Sequence, residues 1–369
     1  MKLRDKISWL MGRVQRSLFP HLNQCLATPL TEQEERLISI LEIVQVERYV
    51  SKNITRFRYP GRKLLDRQAL ARAFVAKAFY RHATTSDLRR ALLSAVNLRR
   101  ICGFVAAGDI PSESTFSRAF SEFAGDGFGS QVHDALVENY LSGELIGHIS
   151  RDSTAIIGRE KPAKKEVNVP NKPRKMGRPT KGEQRDSAPE KRLDKQLGQT
   201  AEEAISELPV VCDRGTKKNA KGHKMSWNGY KLHLDTNDIG LPISALVTSA
   251  SLHDSQAAIP LIKLTSRKVT YCYDLMDAAY DAKRIAEVSR ALGHVPIIDK
   301  NKRRTEVLPM APHEAERYKM RSSAERANSR LKEDFGANNV MVKGHAKVFL
   351  HLMFGVITLF SDQLLRLVG

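Results

Sequence analysis

The stretch "RYKMRSSAERANSRLK", residues 317–332, places four polar side chains on one face of a predicted helix. The four residues are Tyr318, Arg321, Glu325 and Lys332, and the last three follow Tyr318 by three, seven and fourteen residues. At ~100° per residue these positions fall within roughly 60° of one another on a helical wheel, so they form a single polar stripe. A helix face with one carboxylate among basic groups predicts a binding partner for that face.

The alternative interpretation of this stripe is a solvated helix face. Arg321 and Glu325 stand four residues apart, and such a pair stabilises a helix by only a few tenths of a kcal/mol. Two aspartates earlier in the chain decide between these interpretations, because each lies at a place where a carboxylate is costly or functional.

Short β-branched or alternating runs begin at residue 148 and predict strands. They are "HISRDSTAII", "NGYKLHLDT", "PISALVTSA", "KVTYCYDL" and "HVPIID". "SQAAIPLIKL" lies between the third and fourth runs and "YDAKRIAEVSRALG" between the fourth and fifth, and both are helical in character. The pattern predicts a mixed α/β domain whose sheet contains both hairpin and crossover connections.

Residues 33–147 carry apolar side chains at helical spacing, which predicts a helical N-terminal module. Within it, residues 85–120 could form a helix-turn-helix-like unit whose second helix starts at Ser112 and presents Ser114, Thr115 and Arg118 to DNA. Plain helix packing explains the same pattern equally well. At the other end of the chain, the apolar run "VFLHLMFGVITLF", residues 348–360, is too short for a bilayer span of ~20 residues and predicts a buried C-terminal helix.

The chain is strongly basic, with 60 Lys and Arg against 41 Asp and Glu, a formal net charge of +19 and a pI near 9.8. Nucleic acid is the leading partner for such a surplus, because cations that neutralise phosphates release condensed counterions. The alternative is a basic protein with no nucleic-acid role. The four cysteines form no C-x-x-C pair, which predicts a reduced cytoplasmic protein without a zinc site.

A basic insertion follows the first predicted strand. Residues 159–195 contain 13 Lys and Arg against 6 Asp and Glu, together with five prolines. Such a segment cannot bury enough apolar surface to fold independently, so a flexible insertion is predicted over 159–222. Inside it, "RKMGRPTKG" is similar to the core of an AT-hook, which would place Arg174, Lys175 and Arg178 on DNA. A solvated loop is the competing interpretation.

Three carboxylates are candidate catalytic groups. Asp152 lies among β-branched residues in the first predicted strand, where a carboxylate is costly unless it is bonded or bound to metal. Asp277 directly follows the fourth predicted strand, at the end where ligand groups gather in α/β sheets. With Glu325 of the stripe, these side chains can supply oxygen ligands for two Mg²⁺ ions, for which Mn²⁺ could substitute. Such a pair of ions supports in-line displacement at phosphorus.

The sequence resembles the DDE transposases of bacterial insertion sequences. "YKMRSSAERANSRLK" matches their Y-x2-R-x3-E-x6-K signature in full, and "DAAYD" is similar to their second-aspartate motif at Asp277. "SRDSTAI" is similar to their first-aspartate strand at Asp152, and residues 227–256 look like their second and third strands followed by a His-Asp-Ser helix start. The basic insertion, and Ala279 where the family commonly has Gly, depart from the pattern.

The resemblance implies a helical N-terminal domain that binds DNA (1–147), a ribonuclease-H-like catalytic domain (148–340) and a C-terminal helix (341–369). It also implies that Asp152, Asp277 and Glu325 bind metal. Tyr318 and Lys332 would meet phosphates of the element's ends, and Arg321 would contact DNA or bridge to an acid.

The function implied is metal-dependent cutting of DNA at terminal inverted repeats and joining of the ends to target DNA. Expected with it are double-stranded DNA as partner, a homodimer when two ends are paired, no membrane association, and a cytoplasmic, nucleoid-associated location. A ribonuclease-H-like nuclease that does not join strands, and a non-catalytic DNA-binding descendant of such an enzyme, are the alternatives.

Overall fold

The computed structural model describes residues 29–50, 66–163, 190–218, 222–301 and 309–368. The N-terminal part is helical, as predicted. Its helices are α1 (Glu32–Val44), α2 (Arg67–Phe79), α3 (Thr85–Ser94), α4 (Val96–Cys102), α5 (Glu113–Gly125) and α6 (Phe128–Leu141).

Side-chain caps fix where several of these helices begin. Thr31 caps α1 in a capping box with Glu34, and Thr84 caps α3 in the same way with Asp87. Each box satisfies backbone N–H groups that the first helical turn leaves without a partner. Ser112 is the N-cap residue of α5, as its position in the sequence predicts.

A mixed sheet forms the middle of the chain. Its strands are β1 (Leu145–Ile157), β2 (Asp213–Lys218), β3 (Lys224–Thr236), β4 (Pro242–Ser249), β5 (Thr270–Met276) and β6 (Val295–Ile298). β3 lies antiparallel to β1, β2 and β4, whereas β5 runs parallel to β1 and β6 parallel to β5. Hairpin and crossover connections therefore occur in one sheet, and all five predicted strands are present.

The remaining helices flank the sheet. They are α7 (Arg192–Gly198), α8 (Ala201–Ser206), α9 (Ser255–Lys268), α10 (Lys283–Ala291), α11 (Pro312–Tyr318), α12 (Ser322–Glu333) and α13 (His345–Val368). α9 and α10 are the two helices predicted between strands. α9 leads from β4 to β5 and α10 from β5 to β6, so each is a crossover between strands that run in the same direction.

Helix α13 joins the helical part to the sheet, because it packs on α1, α2, α5, α6 and β4. Its Phe354 lies among the aromatic rings of Phe74, Phe120 and Phe128. In the described part of the chain this one helix has the length and apolar composition of a membrane span, but 78% of its apolar window is buried inside the protein. It is a core helix, and the predicted order of helical region, mixed sheet and buried C-terminal helix is confirmed.

The predicted flexible insertion over 159–222 is wrong for its second half. Residues 192–198 and 201–206 are helical, and Asp213–Lys218 pairs with β3. The segment lacks an apolar core of its own but obtains backbone hydrogen bonds from the edge of β3. Residues 164–189, with Arg174, Lys175 and Arg178, lie outside the described residues.

A buried ion network ties the three central strands together. The Arg151 guanidinium on β1 is fully buried and donates to Asp235 of β3 at 2.6 Å and to Asp274 of β5 at 3.3 Å. The Thr265 hydroxyl donates to Asp235 at 2.7 Å, and the Ser289 hydroxyl donates to Asp274 at 2.6 Å. The network fixes β1 in register between its two neighbours.

Replacing Arg151 by Met should lower the free energy of unfolding by about 3–5 kcal/mol, because it leaves two buried carboxylates without a cation. Urea unfolding followed by circular dichroism measures the loss. The control is Arg290→Met on the exposed end of α10, for which a change within about 0.5 kcal/mol is expected. Equal stability of the two variants would contradict the role assigned to the network.

Candidate active site

Asp152 projects from β1 on the face opposite to the buried Arg151 and meets α12. The Asn328 side-chain amide donates to Asp152 Oδ2 at 3.1 Å. Burial raises the pKa of Asp152 from 3.8 to about 6. The Arg321 guanidinium favours the charged form of this carboxyl group, whereas the Asp277 carboxylate disfavours it.

Asp277 lies at the C-terminal end of β5, next to β1 in the sheet. Its carboxylate accepts a hydrogen bond from the Ala279 backbone N–H at 2.9 Å and thereby caps a short 3₁₀ turn. Burial raises the pKa of Asp277, while the Ala279 N–H and the Arg321 guanidinium act in the opposite direction. The parallel pairing of β1 and β5 brings the Asp277 carboxylate close enough to Asp152 to influence its pKa.

The segment that carries the polar stripe is not one continuous helix. α11 ends at Tyr318, a 3₁₀ turn spans Lys319–Arg321, and α12 begins at Ser322. The Ser150 hydroxyl donates to the Met320 carbonyl at 3.2 Å, which holds this turn against β1. The interruption brings Arg321 into the electrostatic field of Asp152.

Arg321 occupies the centre of the site. Its Nη2 forms an ion pair with Glu325 Oε1 at 2.9 Å, and its guanidinium carbon lies 6.0 Å from the centre of the Tyr318 ring. The Arg321 side chain is 17% exposed, whereas that of Glu325 is 59% exposed. One cation therefore stands among the Asp152, Asp277 and Glu325 carboxylates.

The three carboxylates fit a hard divalent cation by their chemistry, since Mg²⁺ and Mn²⁺ prefer oxygen ligands. Among the described residues, no three His, Cys, Asp or Glu side chains are assembled closely enough to hold a metal ion. The Asp277 carboxylate lies close enough to Asp152 to raise its pKa, whereas Glu325 is paired with the Arg321 guanidinium.

Lys332 lies at the far end of the stripe and is half-buried. Burial lowers its pKa, the Lys217 ammonium lowers it further, and the Asp152 carboxylate raises it. Lys217 belongs to β2, in the segment for which the sequence predicted a flexible loop. Two ammonium groups held near each other favour an anion as their common ligand.

The sequence patterns did not identify three residues that lie near the aspartates: Lys231, Asp254 and Asn328. The Asp254 carboxylate accepts from the Lys231 ammonium at 2.8 Å and raises the pKa of Asp277. Asn328 bonds to Asp152 as described above. The His-Asp-Ser motif before α9 was a signal for Asp254, but nothing local in the sequence indicates that Lys231 and Asn328 reach the site.

The N-terminal candidates lie apart from these acids, on the first turns of α5. The Ser112 hydroxyl lies 2.9 Å from that of Ser114 and 3.2 Å from that of Thr115, and Arg118 is exposed one turn later. Ser114 also lines an open groove of about 510 Å³ together with Lys77, Arg159 and other residues.

Comparison with known families gives two matches. Residues 191–360 match the family described as "Transposase DDE domain", and residues 27–122 match the one described as "Transposase domain (DUF772)". Asp277 and the whole stripe lie within the first match, and the N-terminal candidates lie within the second, whereas Asp152 lies in neither. No curated protein and no solved structure matches the chain.

Asp152→Asn should stabilise the protein without divalent metal above pH 6 but not below pH 4. The folded-state pKa of about 6 lies above the ordinary 3.8, so protonation of Asp152 favours the folded state at low pH and this contribution is lost as the pH rises through 6. The gain should be roughly 1–3 kcal/mol.

Thermal unfolding in EDTA at pH 4 and pH 7.5 measures this effect. Glu316→Gln, on an exposed side chain of α11, is the control and should behave as the wild type at both pH values. An Asp152→Asn variant that is no more stable than the wild type at pH 7.5 would show that the carboxylate is not held in an unfavourable environment.

Proposed function

Because the chain belongs to the DDE transposases of the insertion-sequence type, we propose that it binds the terminal inverted repeats of its element, cuts the DNA there and joins the 3′-hydroxyl ends to target DNA. The observation that carries the proposal is the meeting of Asp152 and Asp277 from two neighbouring strands under the Arg321–Glu325 pair.

The fold agrees with the family. Strands β4, β3, β1, β5 and β6 lie side by side, the first three antiparallel and the last two parallel to β1. The ribonuclease-H-like fold class is thereby confirmed. We propose the division into a DNA-binding domain at 1–147, a catalytic domain at 148–340 and a C-terminal helix at 341–369 as the functional organisation of the chain.

The family depends in general on divalent metal ions. In this chain Asp152, Asp277 and Glu325 would hold two Mg²⁺ ions. Bound there, the ions would activate a water molecule or a DNA hydroxyl and stabilise the leaving oxygen. Arg321 pairs with Oε1 of Glu325, so a metal ion could be bound by Oε2 or could compete with the guanidinium for Oε1.

The side chains around the acids would orient the DNA. Tyr318 and Lys332 stand on either side of Arg321 and Glu325 along the stripe, and the Lys332 ammonium can bind a phosphate as a point charge. Once Glu325 engages metal, the guanidinium of Arg321 is free to donate two parallel hydrogen bonds to a phosphate. These residues would therefore hold the scissile strand against the metal site.

Further DNA contacts are proposed away from the acids. Ser114, Thr115 and Arg118 would meet the duplex at the start of α5, and the basic residues Arg174, Lys175 and Arg178 would add contacts from the insertion. Pairing of two ends requires a homodimer. The proposed place of action is the cytoplasm, on the nucleoid.

Asp152→Asn, Asp277→Asn and Glu325→Gln should each reduce cutting of a labelled duplex bearing the element's inverted repeat by at least about 10³-fold, because each removes a charged ligand of the metal site. Binding of the uncut end should change little. EDTA should abolish cutting by the wild type, and Glu316→Gln on α11 should cut normally. A similar loss of end binding in all three variants would mean that these acids serve folding instead.

Joining separates a transposase from a nuclease with the same site. A pre-cut end with a free 3′-hydroxyl, incubated with a circular target and Mg²⁺, should yield a joined product that is absent with Glu325→Gln. Cutting of the uncut end without any joined product would favour the nuclease. End binding without metal-dependent cutting would favour a non-catalytic DNA-binding protein.

A further inference from the structure

The hairpin of β2 and the first half of β3 projects from the sheet as a two-stranded ribbon. β2 pairs with residues 224–229 of β3, whereas β1 and β4 pair with β3 only from residue 229 or 230 onward. Burial changes at the same point: residues 224–228 are exposed or half-buried, and residues 229–236 are mostly buried. Within the described part of the chain, this half of β3 is therefore more exposed than its buried half.

The ribbon is basic. Residues 213–229 contain five Lys or Arg and a single acid, Asp213, which lies at the base of the ribbon. Directly opposed residues share a face of an antiparallel pair. The register Arg214 to Asn228 and Thr216 to Ser226 thus gives one face a row of exposed polar side chains that continues to Lys224.

The other face makes the ribbon stiff. The Trp227 ring covers Gly215 so closely that a Cβ atom there would lie 2.5 Å from the ring. The Trp227 Nε1–H donates to the Tyr230 carbonyl at 3.1 Å and anchors the indole to the start of the buried half of β3. An isolated hairpin is marginally stable in water, so this packing is what allows the ribbon to keep its shape without a cover.

We propose that this ribbon enters the major groove of duplex DNA, with Arg214, Thr216, Lys224, Ser226 and Asn228 facing the base edges. Paired strands lie ~4.8 Å apart, and the major groove, ~12 Å wide, admits a two-stranded β-ribbon. Six residues per strand give a length of ~20 Å. Hydroxyl, amide and guanidinium groups are the donors and acceptors that read base pairs there.

Charge supports DNA as the occupant, because the ribbon carries five Lys or Arg against one acid. Through β3 the ribbon is joined to β1, the strand that carries Asp152. Lys217, directly opposite Met225, lies on the Trp227 face and not in the polar row. The inference rests on the proposed function, since it assigns a contact with the DNA on which that function acts.

The double variant Arg214→Gln with Lys224→Gln tests the ribbon. Both side chains are exposed, so the fold should survive, which circular dichroism verifies. Affinity for a random-sequence duplex should fall about tenfold, and the slope of log affinity against log salt should decrease by about one to two. The matched control, Lys283→Gln with Arg290→Gln, removes the same charge from α10, which packs on β6 at the opposite edge of the sheet.

A second measurement distinguishes the groove from the phosphate backbone. In a duplex whose cytosines carry glucosylated hydroxymethyl groups, the major groove is filled while the phosphates are unchanged. Wild-type affinity should fall on this duplex, and the ribbon variant should lose less of its remaining affinity than the wild type and the control variant do.

Equal sensitivity of the ribbon variant and the wild type to the filled groove would overturn the inference, as would equal affinity of the ribbon variant and the control for unmodified DNA. In either case a wild-type protein that still binds and cuts its element's end would leave the proposed function intact. If the wild-type protein bound no duplex DNA, both the ribbon inference and the proposed function would be contradicted.

Discussion

The arrangement of the site depends on the burial of Arg151 between Asp235 and Asp274. Successive side chains of a strand point to opposite faces of the sheet. Because Arg151 is held on one face by carboxylates from β3 and β5, Asp152 must lie on the other face, where α12 crosses. A shift of β1 by one residue would exchange the faces on which Arg151 and Asp152 lie, and the network makes that shift costly.

In the site itself, as in the buried network, an arginine is paired with carboxylates. Burial raises the pKa values of Asp152 and Asp277, and neighbouring carboxylates add to the rise: Asp277 acts on Asp152, and Asp254 and Asp299 act on Asp277. Arg321 relieves part of it and takes Glu325 as its ion-pair partner. Divalent cations would relieve more, since each carries twice the charge of the guanidinium. In this arrangement the Arg321 guanidinium balances part of the negative charge of the acids.

Much of the framework could be predicted from local pattern. Alternation of β-branched residues identified five strands, helical spacing identified α9 and α10, and the position of Asp277 directly after a predicted strand agrees with the end of β5 at Met276. Two features could not be predicted from the sequence, because each depends on contacts with residues far away along the chain. β2 is polar and rich in lysine, and its pairing comes from the open edge of β3 rather than from its own composition. The break at Lys319–Arg321 is favoured by the Ser150 hydroxyl, which no periodicity in residues 317–332 reveals.

The central claim is that Asp152, Asp277 and Glu325 together hold divalent metal, and Mn²⁺ binding measured by electron paramagnetic resonance tests it most directly. The signal of free Mn²⁺ should fall when the wild-type chain or the Glu316→Gln control is added. Asp277→Asn should weaken this binding at least about tenfold, because it removes a charged oxygen ligand. Unchanged Mn²⁺ binding by Asp277→Asn would contradict the account, since the metal would then lie elsewhere in the chain.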